Sequence, residues 1–220
     1  MAIPVFVLGH SGSGKSFSLH NFDPNDVGII NVVGKPLPFR NGKNFTANIQ
    51  TDNPHQICDL LVKSTKPIMV IDDFQYIMAN EFMRESNTKG FDKFTQIGRH
   101  AWDIFNVMNY HMKPYQRVYV LAHTDVSESG VTKMKTVGRL LDEKITPEGL
   151  VTIVLQTHIE NGQNYFMTQN NGSNTVKTPF EMFNDLLIPN DLNAVDDAIC
   201  EYYGLSKTLT ETQPTPEAAA

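Results

Sequence analysis

The stretch Gly9-His10-Ser11-Gly12-Ser13-Gly14-Lys15-Ser16 satisfies the pattern G-x-x-x-x-G-K-[ST] in full. Its flanks supply the context the pattern needs. Ile3-Pro4-Val5-Phe6-Val7-Leu8 is a short apolar, β-branched run that reads as a buried strand, and Ser16-Phe17-Ser18-Leu19 can open a helix. The spacing has a physical reason. Glycines let backbone N–H groups curl round a phosphate chain with no Cβ in the way, and a helix N-terminus adds partial positive charge. On this reading Gly9, Ser11, Gly12, Ser13, Gly14, Lys15, Ser16 and Phe17 form a nucleotide-binding loop. Lys15 would reach the β- and γ-phosphates, and the Ser16 hydroxyl would take one position on Mg2+. An accidental Gly/Ser-rich turn carrying a Lys would match roughly once per hundred chains of this length, so the binding reading wins.

Composition bounds the rest. A chain of 220 residues has room for one α/β domain with a few additions and a sizeable core. The formal net charge of -6 gives no global attraction for nucleic acid, so any such contact must come from a local patch. Cys58 and Cys200 lie far apart without a C-x-x-C partner, which suits reduced thiols of a cytosolic protein better than a disulfide or zinc site. No apolar run approaches transmembrane length, and the N-terminus enters the first strand with no room for a signal peptide. The expectation is a soluble, cytoplasmic protein without membrane contact.

Five continuous apolar runs predict parallel strands buried on both faces: Ile3–Leu8, Val27–Val33, Pro67–Ile71, Arg117–Ala122 and Gly149–Leu155. Between and after them, helices are predicted over Pro54–Lys63, capped by Asn53, over about Phe91–Met112, and over Asp191–Tyr203. In the longest, Phe94, Ile97, Ala101, Ile104, Phe105 and Met108 recur at helical spacing. This alternation argues a parallel, right-handed α/β sheet. Val151–His158 and Asn164–Gln169 flank a Gly-containing turn and read as a C-terminal β-hairpin. Residues 1–204 therefore form one domain. The tail 205–220, rich in Thr, Pro, Glu and Ala, has no core-forming pattern and is expected to be disordered.

The segment Ile68-Met69-Val70-Ile71-Asp72-Asp73 is a Walker B candidate, an apolar strand ending in carboxylates. Asp72 would emerge at the strand's carboxyl edge, where open α/β sheets bind ligands, and would hold Mg2+ with Ser16. The plainer alternative is that both aspartates start a loop. The chain has no Glu before Glu81, so neither usual position of a water-polarising Glu is filled. Asp73 would serve as a base of shorter reach, Glu81 or Glu85 would swing in from the following helix, or Gln75 would orient the water. Equally, turnover would stay slow until a partner completes the site. The fourth strand ends Leu121-Ala122-His123-Thr124, which makes His123, with Thr124 second, a sensor of the γ-phosphate or else a hydrogen-bonded strand-end histidine. The catalytic set is thus Lys15, Asp73 and His123. Lys133, Lys135 and Arg139, beside Gly130 and Gly138, would contact single-stranded DNA, supply a cation to a neighbouring subunit's site, or form a solvated loop. Lys177 would reach an adjacent subunit's nucleotide or is a surface lysine. Lys35-Pro36-Leu37-Pro38-Phe39-Arg40 is a binding surface or a Pro-stiffened connector.

With these pieces in order, the chain resembles the RecA-like branch of P-loop ATPases, and more narrowly the small single-domain bacteriophage ATP-binding proteins described as AAA-domain proteins of recombination modules. The resemblance rests on GHSGSGKS at 9–16, IMVIDD at 68–73, VYVLAHTD at 118–125 and the TVKTP segment around Lys177, and it covers the chain to about Tyr203. It implies a three-layer P-loop NTPase fold with the five strands in the order 5-1-4-3-2. It further implies ATP and Mg2+, homo-oligomers in rings or filaments, and a part in DNA recombination, repair or replication of the single-strand annealing type. The chain departs from the recombinases in lacking a Glu on the second strand and a separate DNA-binding domain, which speaks against strand exchange. Two rivals remain: a non-hydrolysing ATP-binding interaction module, and a small-molecule kinase. The kinase would need an Arg-rich lid, and only five arginines are spread singly through the chain.

Overall fold

The computed structural model describes residues 1–207. Strands β1 (Ile3–Leu8), β2 (Val27–Asn31), β3 (Asn48–Gln50), β4 (Ile68–Asp72), β5 (Arg117–Ala122), β8 (Ile153–Glu160), β9 (Gln163–Met167) and β10 (Leu187–Pro189) build one sheet in the order β10-β9-β8-β1-β5-β4-β2-β3. From β3 to β8 every neighbouring pair is parallel; β9 and β10 add antiparallel strands at one end. A separate two-stranded ladder joins β6 (Thr124–Val126) to β7 (Thr132–Met134). The helices are α1 (Pro54–Lys63), α2 (Gln75–Arg84), α3 (Asp92–Tyr110) and α4 (Leu192–Tyr203).

The period-2 alternation of β1 sorts its side chains into two cores. Phe6 and Leu8 pack with Ile57 and Leu61 of α1, Ile77 of α2 and Ile104 and Phe105 of α3. Val5 and Val7 face the opposite layer, with Leu19, Phe22 and Val195 and Ile199 of α4. Helices therefore cover both faces of a mostly parallel sheet, an arrangement compatible with a three-layer α/β fold. Local chemistry fixes the element ends. The Asn53 side chain accepts from the His55 and Gln56 N–H groups, and Pro54 occupies the first turn of α1. Helix α4 starts at an Asp191 cap and stops at Gly204, whose φ of 64° no other residue adopts as cheaply. Asn161 and Gly162, both with positive φ, make the two-residue turn between β8 and β9.

Several expectations need correction. Behind the Gly-rich loop the chain makes only one short 3-10 turn, Ser16–Leu19. Asp23-Pro24 forbids more, because the residue before a proline avoids helical backbone, and the Asp23 carboxylate already holds the Asn25 N–H at 2.8 Å in a turn. The fifth predicted strand begins later, at Ile153, since Pro147–Leu150 forms a 3-10 turn, and it runs on to Glu160. Strand β2 stops at Asn31. The edge strand β3 and the β6–β7 ladder carry too little apolar periodicity to be placed by sequence, and α2, the helix expected after Asp73, received no bounds from it. The expected tail lies mostly outside the described residues, but Leu205 and Lys207 fold back. The Leu205 N–H donates to Cys200 O at 2.8 Å, and Lys207 Nζ donates to Asn193 Oδ1 at 3.0 Å. Among the described residues no helix is long and apolar enough to cross a membrane.

Candidate functional site

The carboxyl ends of β1, β5, β4 and β2 lie level, with Leu8 opposite Ala122 and Asn31 opposite Asp72. That register gathers the Gly-rich loop, His123, Asp73 and Lys35 around one open cavity of about 270 Å3. Its floor is the loop itself, from Ser11 to Phe17, and Asn164 of the hairpin closes one side.

The loop is propped from behind by β8. Thr157 Oγ1 donates to Ser13 Oγ at 2.7 Å, and Ser13 Oγ donates to His10 O at 2.7 Å. Gly14 has a φ of 95°, a backbone state that L side chains rarely adopt. Gly9 is required for a different reason: a Cβ there would lie 1.8 Å from Thr157 Oγ1 and 2.6 Å from Ser13 Oγ. Gly9→Ala should therefore destabilise the protein by about 1–3 kcal/mol in urea unfolding, and Thr157→Ala in the same chain should recover part of the loss. An unchanged midpoint for the single variant would contradict this close approach.

Lys15 is buried, and its Nζ donates to Gly9 O and His10 O, each at 2.9 Å. Burial pulls its pKa down to about 8. Ser16 Oγ donates to Asp72 Oδ1 at 2.9 Å. Burial, and next the Asp73 carboxylate, push Asp72 up to about 6. Asp73 sits at a φ of 63° with its carboxylate almost fully buried. One oxygen is ion-paired with Lys35 Nζ, and the other lies 3.5 Å from His123 Nε2. Burial and then Lys15 lower the His123 pKa. The His123 backbone N–H donates to Gln75 Oε1 at 3.1 Å, while the buried Gln75 Nε2 has no hydrogen-bond partner among the described residues.

Among the described residues no group of three His, Cys, Asp or Glu side chains can hold a metal alone. The meeting of a hydroxyl and a carboxylate oxygen at Ser16 and Asp72 does fit Mg2+. That ion takes one or two protein oxygens and completes its shell with phosphate oxygens and water.

Other candidates fall elsewhere. Glu81 accepts from His100 Nδ1 at 2.7 Å between α2 and α3, and Glu85 follows α2; neither lines the cavity. Thr124 Oγ1 lies 3.3 Å from His10 Nδ1, outside the cavity lining. Lys133 Nζ pairs with Asp142 at 2.5 Å and Arg139 Nε with Glu143 at 3.4 Å, while the Lys135 N–H donates to His123 O. Across 125–144 the acids Asp125, Glu128, Asp142 and Glu143 balance Lys133, Lys135, Arg139 and Lys144. The Lys177 backbone bridges Val154 in β8. Of the loop read as a binding surface or a connector, Lys35 and Pro38 line the cavity, whereas sequence reasoning missed Asn164 and Thr157 as parts of the site. Only Lys35 carried a signal of its own: a cation placed just past the carboxyl end of a buried strand. No protein-family model matches this chain, and no curated protein does either.

Proposed function

We propose that the chain is a Mg2+-dependent, RecA-like P-loop ATPase that binds ATP and acts in bacteriophage DNA recombination, repair or replication, in the host cytoplasm. The observation that carries the nucleotide part is the Ser16–Asp72 contact beside Lys15 at the carboxyl ends of β1 and β4. It joins two sequence motifs that lie 56 residues apart at the spot where one metal–phosphate unit would sit. The strand order β8-β1-β5-β4-β2, with the loop on β1 and Asp72 on β4, supports assigning a P-loop NTPase topology. The choice of ATP over other nucleoside triphosphates, the phage context and the DNA role rest on the sequence resemblance. The charge-balanced segment around Lys133, Lys135 and Arg139 adds no electrostatic argument for single-stranded DNA. Assembly into a homo-oligomer belongs to the same proposal.

In this reading the loop N–H groups and Lys15 bind the phosphates, and Ser16 and Asp72 hold Mg2+. When bound, the ion neutralises charge that builds on the phosphate oxygens. Asp73 accepts the proton of the attacking water, and His123, touching Asp73, reports the terminal phosphate. A second reading has an observation of its own. Asp73 is already paired with Lys35 and, among the described residues, no Glu lines the cavity, which favours an ATP-binding module with little turnover. The kinase alternative loses ground because none of the arginines lines the cavity. Calorimetry with ATP and Mg2+, followed by phosphate release with and without single-stranded DNA, tests the proposal. Saturable, Mg2+-dependent ATP binding is expected, with release below about 1 per second for the protein alone. No binding sinks the nucleotide reading. Binding with release equal to a Lys15→Ala blank selects the module.

A further inference from the structure

We propose that Lys35 is a second phosphate ligand that discriminates triphosphate from diphosphate, moving from Asp73 to the terminal phosphate when a nucleoside triphosphate enters the cavity. The inference rests on the nucleotide reading of this cavity and adds a residue that no motif contains.

Lys35 is built into place. The Asn31 side chain, at the end of β2, accepts from the Gly34 N–H at 2.8 Å and donates to Lys35 O at 2.7 Å. That double clasp fixes the turn at Gly34, whose φ is 77°, and aims the following side chain into the cavity that Lys15 and Ser16 also line. The two lysines enter from opposite sides. Lys15 follows β1 and Lys35 follows β2, with β5 and β4 between them in the sheet. Their present partners differ in kind. Lys15 is enclosed and satisfied by two loop carbonyls, whereas the Lys35 side chain is 55% exposed and held by one carboxylate. Exchanging that carboxylate for a phosphate costs Lys35 little, because both are anionic oxygen acceptors and the stem is long and mobile.

The arrangement couples ligand identity to Asp73. A diphosphate seated on the loop from Gly12 to Ser16 satisfies Lys15 and leaves the Lys35–Asp73 pair in place. A third phosphate extends across the cavity toward β4 and β2 and draws Lys35 away. Asp73, held at a left-handed φ and nearly buried, then keeps His123 Nε2 at 3.5 Å. The carboxylate loses its Lys35 partner only when triphosphate is present.

Calorimetry on the full chain with ATP and with ADP, each with Mg2+, tests this in wild type, Lys35→Ala, Lys35→Arg and Asp73→Asn. Lys35→Ala should weaken ATP by about 10- to 100-fold, the worth of one hydrogen bond to a charged group, and leave ADP within about twofold. Lys35→Arg should keep the preference for ATP. Asp73→Asn, which removes the competing carboxylate, should tighten ATP relative to ADP. Equal losses for both nucleotides, or no loss for either, overturn the inference while leaving nucleotide binding intact. A wild-type protein that binds neither nucleotide overturns the underlying reading and this one with it.

Discussion

Lys15→Ala is expected to weaken ATP binding by at least about 100-fold while leaving the fold in place. Lys15 is 6% exposed, and its ammonium group donates to Gly9 O and His10 O. Its pKa, drawn down to about 8 by burial, shows that the charge is held at some cost in the ligand-free protein. A phosphate anion relieves that cost. Each hydrogen bond from the ammonium to a phosphate oxygen contributes roughly 1.5–3 kcal/mol, and the low end for two of them comes to about 3 kcal/mol, or a factor of more than 100. Stability should move far less, by about 1 kcal/mol, because the substitution also removes a charge that burial disfavours. Lys15→Arg should not rescue binding, since the planar guanidinium does not fit the space between two carbonyls that a point ammonium fills. Calorimetry reads the affinity and urea unfolding the fold; unchanged affinity in a folded variant would end the assignment.

What the sequence made legible was local. A continuous apolar run is buried on both faces wherever it occurs, so β1 and β5 were readable, and Asn53-Pro54 marks a helix start in any context. The loop that opens the site was readable because its glycines answer a backbone demand. The turn after it was not, because Ser16-Phe17-Ser18-Leu19 has helical potential that Asp23-Pro24 cancels only a few residues later. Lys35 shows the other limit. Residues 35 and 73 meet because β2 lies beside β4 with Asn31 opposite Asp72, and sheet register is a long-range property that no window of sequence contains. The same holds for Lys133 and Asp142, whose pairing turns a run of bases into a neutral patch. Charge read along the chain overstated what charge in space delivers.

At the opposite end of β5 from the cavity on the Gly-rich loop, Asp196→Ala is expected to cost about 3–5 kcal/mol of stability. Arg117 opens β5 and is fully buried. Its Nε and Nη2 donate to the two oxygens of Asp196 in α4 at 2.9 and 2.7 Å, and its Nη1 donates to Tyr115 O at 2.9 Å. Tyr119 adds a hydroxyl at 2.7 Å to Asp196 Oδ1. The carboxylate thus satisfies a guanidinium and a phenol in one dry layer between sheet and helix. Removing it strands both, and a guanidinium cannot shed its charge to escape. For a domain of ordinary stability, about 5–15 kcal/mol, that loss is at least a fifth of the total and can approach all of it. The pair itself need not be strongly favourable. Arg117→Met with Asp196→Leu and Tyr119→Phe replaces the network by apolar volume and should recover most of the loss, because no charge is then left uncompensated. Urea midpoints across Asp196→Ala, Arg117→Met and the triple variant decide it: a mild Asp196→Ala refutes the stranded-charge argument, and a triple variant as unstable as the single one shows that the pair contributes more than its burial costs. ATP affinity should follow neither, since Arg117 lies at the amino end of the strand whose carboxyl end carries His123.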